Sequence, residues 1–437
     1  MSLGMKIAVI GAGISGLSAA WKLSREGHDV SLYEAGAYFG GHTNTVDIDV
    51  DGQRFGVDTG FLVFNHRTYP NLIRLFDELN VATSASDMSF AVKMPVSAQP
   101  DARLLEWAGS NLDTVFAQRR NLLSPRFWRM LRDILRFNQQ TSVMALTPDE
   151  MAEMPLGDFL NTHRYSEEFR DWYLLPMAGC IWSCPTAQML EFPLVTFVRF
   201  CHNHGLIQVT DRPQWHTVTG GARHYVEKML PAISSKYLNT PVQAVTRTNL
   251  ASGGQVRVDS SLGALMYDHV VMATHSDQTL KMLQDATEAE RAVLSAVRYQ
   301  PNRAVLHTDA SGLPQRQKAW SAWNYESAGP GESRVCVHYL LNKLQPLPVQ
   351  TPVIVSLNPI REPDASKIIA SFDYAHPVFD AAAIAAQSKL QALQGSRNTW
   401  FAGAWTGYGF HEDGLKSGLA VADAIASDAD LRDRHAA

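Results

Sequence analysis

MKIAVIGAGISGLSAAWKLSREGHDVSLYEAG, residues 5–36, holds two apolar runs around a glycine-punctuated turn. Lys6–Ile10 enters Gly11-Ala12-Gly13-Ile14-Ser15-Gly16, a G-x-G-x-x-G. Ile14, Leu17 and Trp21 then recur at helical spacing, and a second apolar run, Val30–Tyr33, closes on Glu34 and Ala35. Strand, glycine turn, helix, strand and acid in this order form a dinucleotide-binding unit. Gly11 permits the tight turn, Gly13 leaves room for a pyrophosphate against the backbone, and Gly16 lets the helix pack close to the sheet. The unpaired N–H groups at the helix start, around Ile14 and Ser15, favour phosphate by about 0.3–1 kcal/mol, rising to ~2 when partly buried. Glu34 stands 18 residues after Gly16, where a carboxylate accepts both hydroxyls of an adenosine ribose. A charge-assisted bond of that kind contributes about 1.5–3 kcal/mol.

A chain of 437 residues is long for one core, so two domains are expected. A net charge of −5 gives no case for nucleic acid, and four cysteines do not make a disulfide framework. No apolar run reaches the ~18 residues of a membrane span. The first apolar run is the nucleotide-binding strand itself, so no leader peptide is expected, and the expected location is the cytoplasm.

Beyond Glu34, Gly40-Gly41-His42 lets the chain turn back across the cofactor. Val46, Ile48 and Val50 alternate with polar residues up to Asp51-Gly52, and Phe55 and Val57 follow, which predicts a hairpin. Asp58-Thr59-Gly60 is a second turn, and Pro70 opens a helix carrying Leu72, Leu75, Phe76 and Leu79. Residues 104–200 are mainly helical in pattern. Within them Arg126, Arg129, Arg132 and Arg136 fall on or near one face, with Phe127, Met130, Leu131, Ile134 and Leu135 on the other and Arg119 and Arg120 upstream. Two readings stand: a solvated face on a cap helix, or a contact with an anionic membrane surface or substrate. Cys180 and Cys184 have no partner pair, and Cys201-His202-Asn203-His204 lacks a third and fourth ligand, so no metal is expected.

Strands are predicted over Pro241–Thr246, with Val242 inside, and over Gln255–Asp259 and Tyr267–Ala273, the last ending in Thr274-His275. Tyr299–Thr308, Ala319–Tyr325 and Val335–Leu341 read as further strands, and Trp320, Trp323 and Tyr325 line a pocket or fill a core. Near the end, Trp400-Phe401-Ala402 is a strand, Gly403-Ala404 opens a glycine-punctuated turn, and Gly414–Ala429 is a helix. A second strand-to-helix junction, far from the first, fits a second electron-rich group of one cofactor. A nicotinamide does not need it. A flavin does, because reduced flavin carries negative charge at N1 and O2. Gly414 and Leu415 are expected to offer N–H groups there, with Tyr408, Phe410 or His411 facing the ring, and Tyr408 and His411 are the candidate catalytic residues. No second G-x-G-x-x-G appears, which disfavours a pyridine-nucleotide reductase.

Gly11–Gly16, Glu34, Gly40-Gly41, Val242, Ala273-Thr274-His275 and Phe401–Gly418 together resemble the flavin-containing amine oxidase and phytoene desaturase superfamily. Asp58–Pro70 (DTGFLVFNHRTYP), Asp87–Phe90, Arg212–Trp215 and Gly407–Gly414 (GYGFHEDG) resemble the FAD-binding domain at the amino terminus of plant cyclopropane fatty acid synthases and its free-standing bacterial relatives. The sequence differs from the amine oxidases in having His42 where arginine is usual, and only Arg303 and His307 near the position of their active-site lysine. The resemblance implies an α/β fold: a Rossmann-like FAD-binding domain from 1–65, 215–294 and 396–437, interleaved with an α+β substrate domain and helical cap from 66–214 and 295–395. It implies FAD as cofactor and an oxidase, desaturase or dehydrogenase that moves a hydride from an apolar, fatty-acyl substrate to the flavin. A flavin amine oxidase and a non-catalytic flavin-bound partner of a lipid-modifying enzyme are the alternatives. A lipid substrate implies peripheral contact with an anionic membrane.

Overall fold

The computed structural model describes residues 4–97, 99, 102–144, 154–182, 185–207, 212–248, 254–329 and 335–436. The opening stretch folds as strand β1 (Lys6–Ile10), helix α1 (Ile14–Arg25) and strand β2 (Asp29–Tyr33). β1 sits between β2 and the strand His269–Met272, and Ser235–Tyr237 and Thr399–Phe401 complete a five-stranded parallel sheet at its two edges. Ile7, Ala8 and Val9 are fully buried, as a parallel strand covered on both faces requires. Chain order reverses on either side of β1, so its carboxyl end opens at the switch point where α/β sheets take ligands. The fold is α/β, a Rossmann-like domain with an interleaved second region.

That second region is built on a seven-stranded mixed sheet. Its order is Ile368–Val378, Arg298–His307, Ile354–Leu357, Cys336–Leu340, Trp323–Glu326, Phe90–Pro95 and Leu104–Ala108. A three-stranded sheet, Phe64–Asn65, Trp215–Val218 and Thr83–Ser86, joins the two regions. The helix Ala381–Leu390 packs its Ala383, Ala386 and Leu390 into the core shared with Tyr33, Val270 and Phe401.

The hairpin forms as Thr45–Val50 and Gln53–Asp58, and Asp51 and Gly52 at its turn both take positive φ. The long helix Pro125–Met144 turns Phe127 and Met130 into the cap and leaves Leu131 and Ile134 partly buried. Leu135 is exposed, against the expectation that it shares their face. The remaining cap helices close over a second core of Phe137, Phe159, Phe169, Trp182, Phe197 and Phe200. Among the described residues no helix is long and apolar enough to cross a membrane.

Candidate active site

The glycine turn after β1 is tight because its neighbours leave no room. A Cβ on Gly11, at φ +99°, would lie 2.6 Å from the Ala273 carbonyl oxygen, and one on Gly16 would lie 1.8 Å from that of Gly11. Gly13 differs: a Cβ there would meet nothing within 4 Å. That open space belongs to a cavity of about 780 Å³ that runs from the turn into the second region. Glu34 stands on its wall. Its carboxylate accepts the Ala12 N–H at 2.9 Å and the Gly36 N–H at 2.8 Å, which fixes it beside the turn.

Gly40 bonds back to the turn through its N–H to the Ala12 carbonyl at 2.8 Å, and a Cβ on Gly41 would sit 3.0 Å from Gly13 Cα. The pair therefore carries His42 onto the cavity wall. Gly60 closes from the other side, since a Cβ there would lie 2.2 Å from the His42 carbonyl oxygen. The His42 ring stacks on Tyr374 at 4.8 Å and lies 5.3 Å from His376, and its buried Nε2 has no hydrogen-bond partner. Burial, with His376, His275 and His411 nearby, holds it well below the usual histidine range, so it is a neutral ring. An open cradle at Gly13, a carboxylate at the end of β2 and an orphaned ring nitrogen fit a bound dinucleotide.

Ala35, Val242, Ala273, Gly403, Ala404, Tyr408 and His411 also line the cavity, as do Ile14 and Ser15. Three expected residues do not. Gly16 serves only the packing of α1 on the turn. Gly414 and Leu415 lie beneath the wall because the last helix starts three residues earlier, at His411. The Gly414 N–H already donates to the Phe410 carbonyl at 3.1 Å, and its missing Cβ makes room for Ile14 and Ser15 of α1. The helix start therefore lies forward of the expected position. Asp413 Oδ2 accepts the Tyr408 and Phe410 N–H groups at 3.1 and 3.0 Å and shapes the turn before the helix, while the first-turn N–H groups lack helical partners.

His411 stacks on Phe61 at 3.8 Å, and its Nε2 meets Tyr225 Oη at 2.8 Å, which in turn meets Thr43 Oγ1 at 2.5 Å. Burial pushes its pKa down to about 3, so it faces the cavity as a neutral, fixed imidazole.

Sequence reasoning missed Tyr374 and His376. Both lie on Ile368–Val378, where Phe372, Tyr374 and His376 alternate onto one face, a period-two signal that would have found them. Tyr374 Oη meets Thr59 Oγ1 at 2.8 Å and accepts the Asn44 amide at 3.1 Å; His376 Nδ1 lies 3.0 Å from Asn302 Nδ2. Burial holds His376 near 4. His275 joins them, stacked on Tyr299 at 4.2 Å.

Further in, the wall is aromatic: Trp182, Phe200, Trp215, Trp323, Tyr339 and Phe410. Of the three aromatic residues expected to line a pocket or fill a core, Trp323 lines this one, Tyr325 is core, and Trp320 packs behind the sheet with its indole N–H on the Pro314 carbonyl. His204 reaches the cavity, its Nδ1 2.9 Å from the Phe200 carbonyl, whereas Cys180 and Cys201 are buried as free thiols and Cys184 lies outside the described residues. Arg303 pairs with Glu362 at the surface, and His307 bonds Ser356 on the far face of the sheet, so neither lines the cavity. On that far face Glu326, Cys336 and His338 bring ligand-type atoms within 4.8 Å, but the Lys93 ammonium, 2.9 Å from Glu326, already supplies the cation. The arginines of the cap helix are paired: Arg126 and Arg129 with Glu168, Arg132 and Arg136 with Asp133.

Residues 9–79 match the family model of an NAD(P)-binding Rossmann-like domain. In the same stretch the chain resembles a zeta-carotene desaturase of Zea mays, 39% identical over 75 residues, which is 17% of this chain and 12% of that protein. The matched stretch is thus a small part of such relatives. Likeness over the whole length is to solved structures. A putrescine oxidase variant with redesigned cofactor binding superposes with a TM-score of 0.70 at 15% identity, over 98% of this chain and 99% of that one. A fatty acid isomerase from P. acnes that produces CLA superposes with a TM-score of 0.65 at 16% identity, over the same shares. At these identities the likeness is one of fold.

Proposed function

We propose that the chain is an FAD-dependent oxidoreductase acting on an uncharged, apolar substrate, a fatty-acyl chain. One observation carries this reading: a single cavity joins the glycine cradle and Glu34 to an aromatic lobe. Glycine turn, Glu34, Gly40, Gly41 and His42 would hold the ADP half, and the turn 403–411 would meet the isoalloxazine end. Bound there, FAD would supply a two-electron acceptor, taking up the hydride of a substrate that also loses a proton to leave a double bond, and would be reoxidised by an external acceptor such as dioxygen or a quinone.

The chain's own part is orientation and exclusion of water. Tyr408 and Phe410 would bracket the reacting carbon, and His411, fixed by Tyr225, would hold a hydrogen bond without taking a proton near neutral pH. Glu34 is the sole carboxylate among the described residues lining the cavity, and it stands at the nucleotide end. An ammonium in the aromatic lobe would find no counter-charge, which disfavours the amine oxidase reading. The resemblance of four strings to the cyclopropane synthase domain supports the acyl reading, because residues of all four converge: Gly60, Phe61, Leu62, Val63, Tyr69, Met88, Trp215 and Tyr408–His411 all line this cavity.

Anaerobic mixing of the FAD-loaded protein with fatty-acyl lipids and with a panel of primary amines tests the reading. Bleaching of the flavin by a lipid supports it. Bleaching by amines alone would favour the amine oxidase, and no bleaching by any substrate would favour a non-catalytic flavin module.

A further inference from the structure

Residues 112–143 carry six of the eleven large apolar side chains that stand exposed among the described residues. Leu123 is 88% exposed, Leu112 78%, Leu135 59% and Trp128 50%. Isolated exposed leucines need no explanation, but a contiguous ridge does. Trp128, Arg132 and Leu135 follow one another at i, i+4 and i+7 along the outer face of the helix Pro125–Met144. The Trp128 indole N–H donates to the Leu122 carbonyl at 2.8 Å, and its ring meets that of Phe116 at 5.3 Å, one turn after Leu112. Helix, preceding turn and short helix Leu112–Val115 thus present one surface.

The charge around the ridge has a sign. Residues 112–136 hold six arginines against Asp113 and Asp133, and Glu168 adds a third carboxylate, leaving +3 in a chain whose net charge is −5. Glu168 and Asp133 are buried, and each is shared by two arginines, so each neutralises one and leaves a positive charge at the surface.

The geometry points to this ridge as a docking surface for an anionic lipid bilayer. Leu112, Leu122, Leu123, Trp128 and Leu135 enter the boundary between headgroups and acyl chains, and the surrounding arginines meet the phosphates. An aromatic residue with a fixed polar handle suits that boundary. The side chains that reach the bilayer are not the Phe127 and Met130 face expected from sequence, which is spent inside the cap. The same cap supplies Trp182, Phe200 and His204 to the cavity, so a membrane-dissolved substrate would meet the part of the protein that lines it. That last clause rests on the proposed function; the docking itself does not.

Co-sedimentation of the full-length FAD-loaded protein with vesicles tests the inference. The vesicles are phosphatidylcholine alone, or phosphatidylcholine with about one-third phosphatidylglycerol. Binding is expected to the anionic vesicles at low salt, weakened about tenfold or more by high salt and by the double variant Leu123→Ser/Leu135→Ser, with unfolding temperature and FAD content unchanged. Failure of the parent to bind anionic vesicles at low salt would overturn the inference, as would undiminished binding by the double variant. So would conversion of a dimer to a monomer by that variant in analytical ultracentrifugation, which would mean that a second copy covers the ridge. Loss of flavin from the parent protein would count against the redox reading and leave the vesicle result standing.

Discussion

A Cβ built on Gly16 falls 1.8 Å from the carbonyl oxygen of Gly11, whereas one built on Gly13 falls into open cavity. Two glycines of one fingerprint thus do different jobs, and their substitution separates folding from binding. Gly13 has φ −69° and ψ 178°, a conformation any residue adopts. Gly13→Val is expected to fold with little change in stability and to lose cofactor. Gly16→Ala is expected to lose about 1–3 kcal/mol or more, because α1 must move off the turn. Denaturant unfolding of the apoproteins beside cofactor titration checks both; equal destabilisation by the two would contradict the division.

Glu34 is held by two backbone N–H groups at the lip of the cradle, so its carboxylate is already placed for the ribose. Glu34→Gln should weaken FAD binding by about 1.5–3 kcal/mol, the value of a charge-assisted hydrogen bond. Flavin fluorescence quenching during titration of the apoprotein measures it, and an unchanged dissociation constant would remove Glu34 from the ribose.

Gly414 is a packing glycine between α1 and the last helix. Gly414→Val drives a side chain against Ile14 Cγ2 and Ser15 Oγ, which lie 2.8 and 3.0 Å from its Cβ position. The expected effect is lower stability, by about 1–3 kcal/mol, with a flavin reduction potential close to that of the parent. A potentiometric shift without loss of stability would return Gly414 to the flavin.

Burial holds His376 near 4 and His411 near 3, below the ordinary histidine value of 6.5. The unfolded chain then binds more protons across that interval. The stability these residues contribute is complete above about pH 6.5 and is lost as pH falls through their folded values. Asp58 and Asp413, raised to about 6 by burial, act in the opposite sense and add stability as pH falls below 6. His376→Asn isolates the histidine part, roughly 1–3 kcal/mol at one pKa unit per 1.36 kcal/mol. Between pH 6.5 and 4.5 the parent should lose more stability than the variant in urea unfolding, and parallel curves would show that His376 is not a buried neutral ring.

Legibility in the sequence followed the range of the interactions. The first βαβ unit is local: Gly16 packs on Gly11 within the same turn, and the strand limits at Lys6–Ile10 agree with the apolar run. The carboxyl-terminal junction was legible as a junction but not in register: Asp413 accepts the Tyr408 and Phe410 N–H groups, and the helix begins at His411, before Gly414. Tyr374 and His376 show in the sequence only as a period-two alternation with Phe372; their place beside His42 depends on pairing Ile368–Val378 with Arg298–His307, which that alternation does not specify. Leu135 was grouped with Met130 and Ile134 by helical spacing, but the cap covers a narrower stripe than the apolar residues span.

The central claim is that one cavity holds FAD. Purified protein, denatured and analysed by mass spectrometry for released cofactor, tests it most directly. The account predicts FAD approaching one equivalent per chain, or stoichiometric uptake of FAD by apoprotein with no binding of FMN or NAD. Recovery of a nicotinamide dinucleotide alone, or failure of the folded apoprotein to take up FAD, would contradict it.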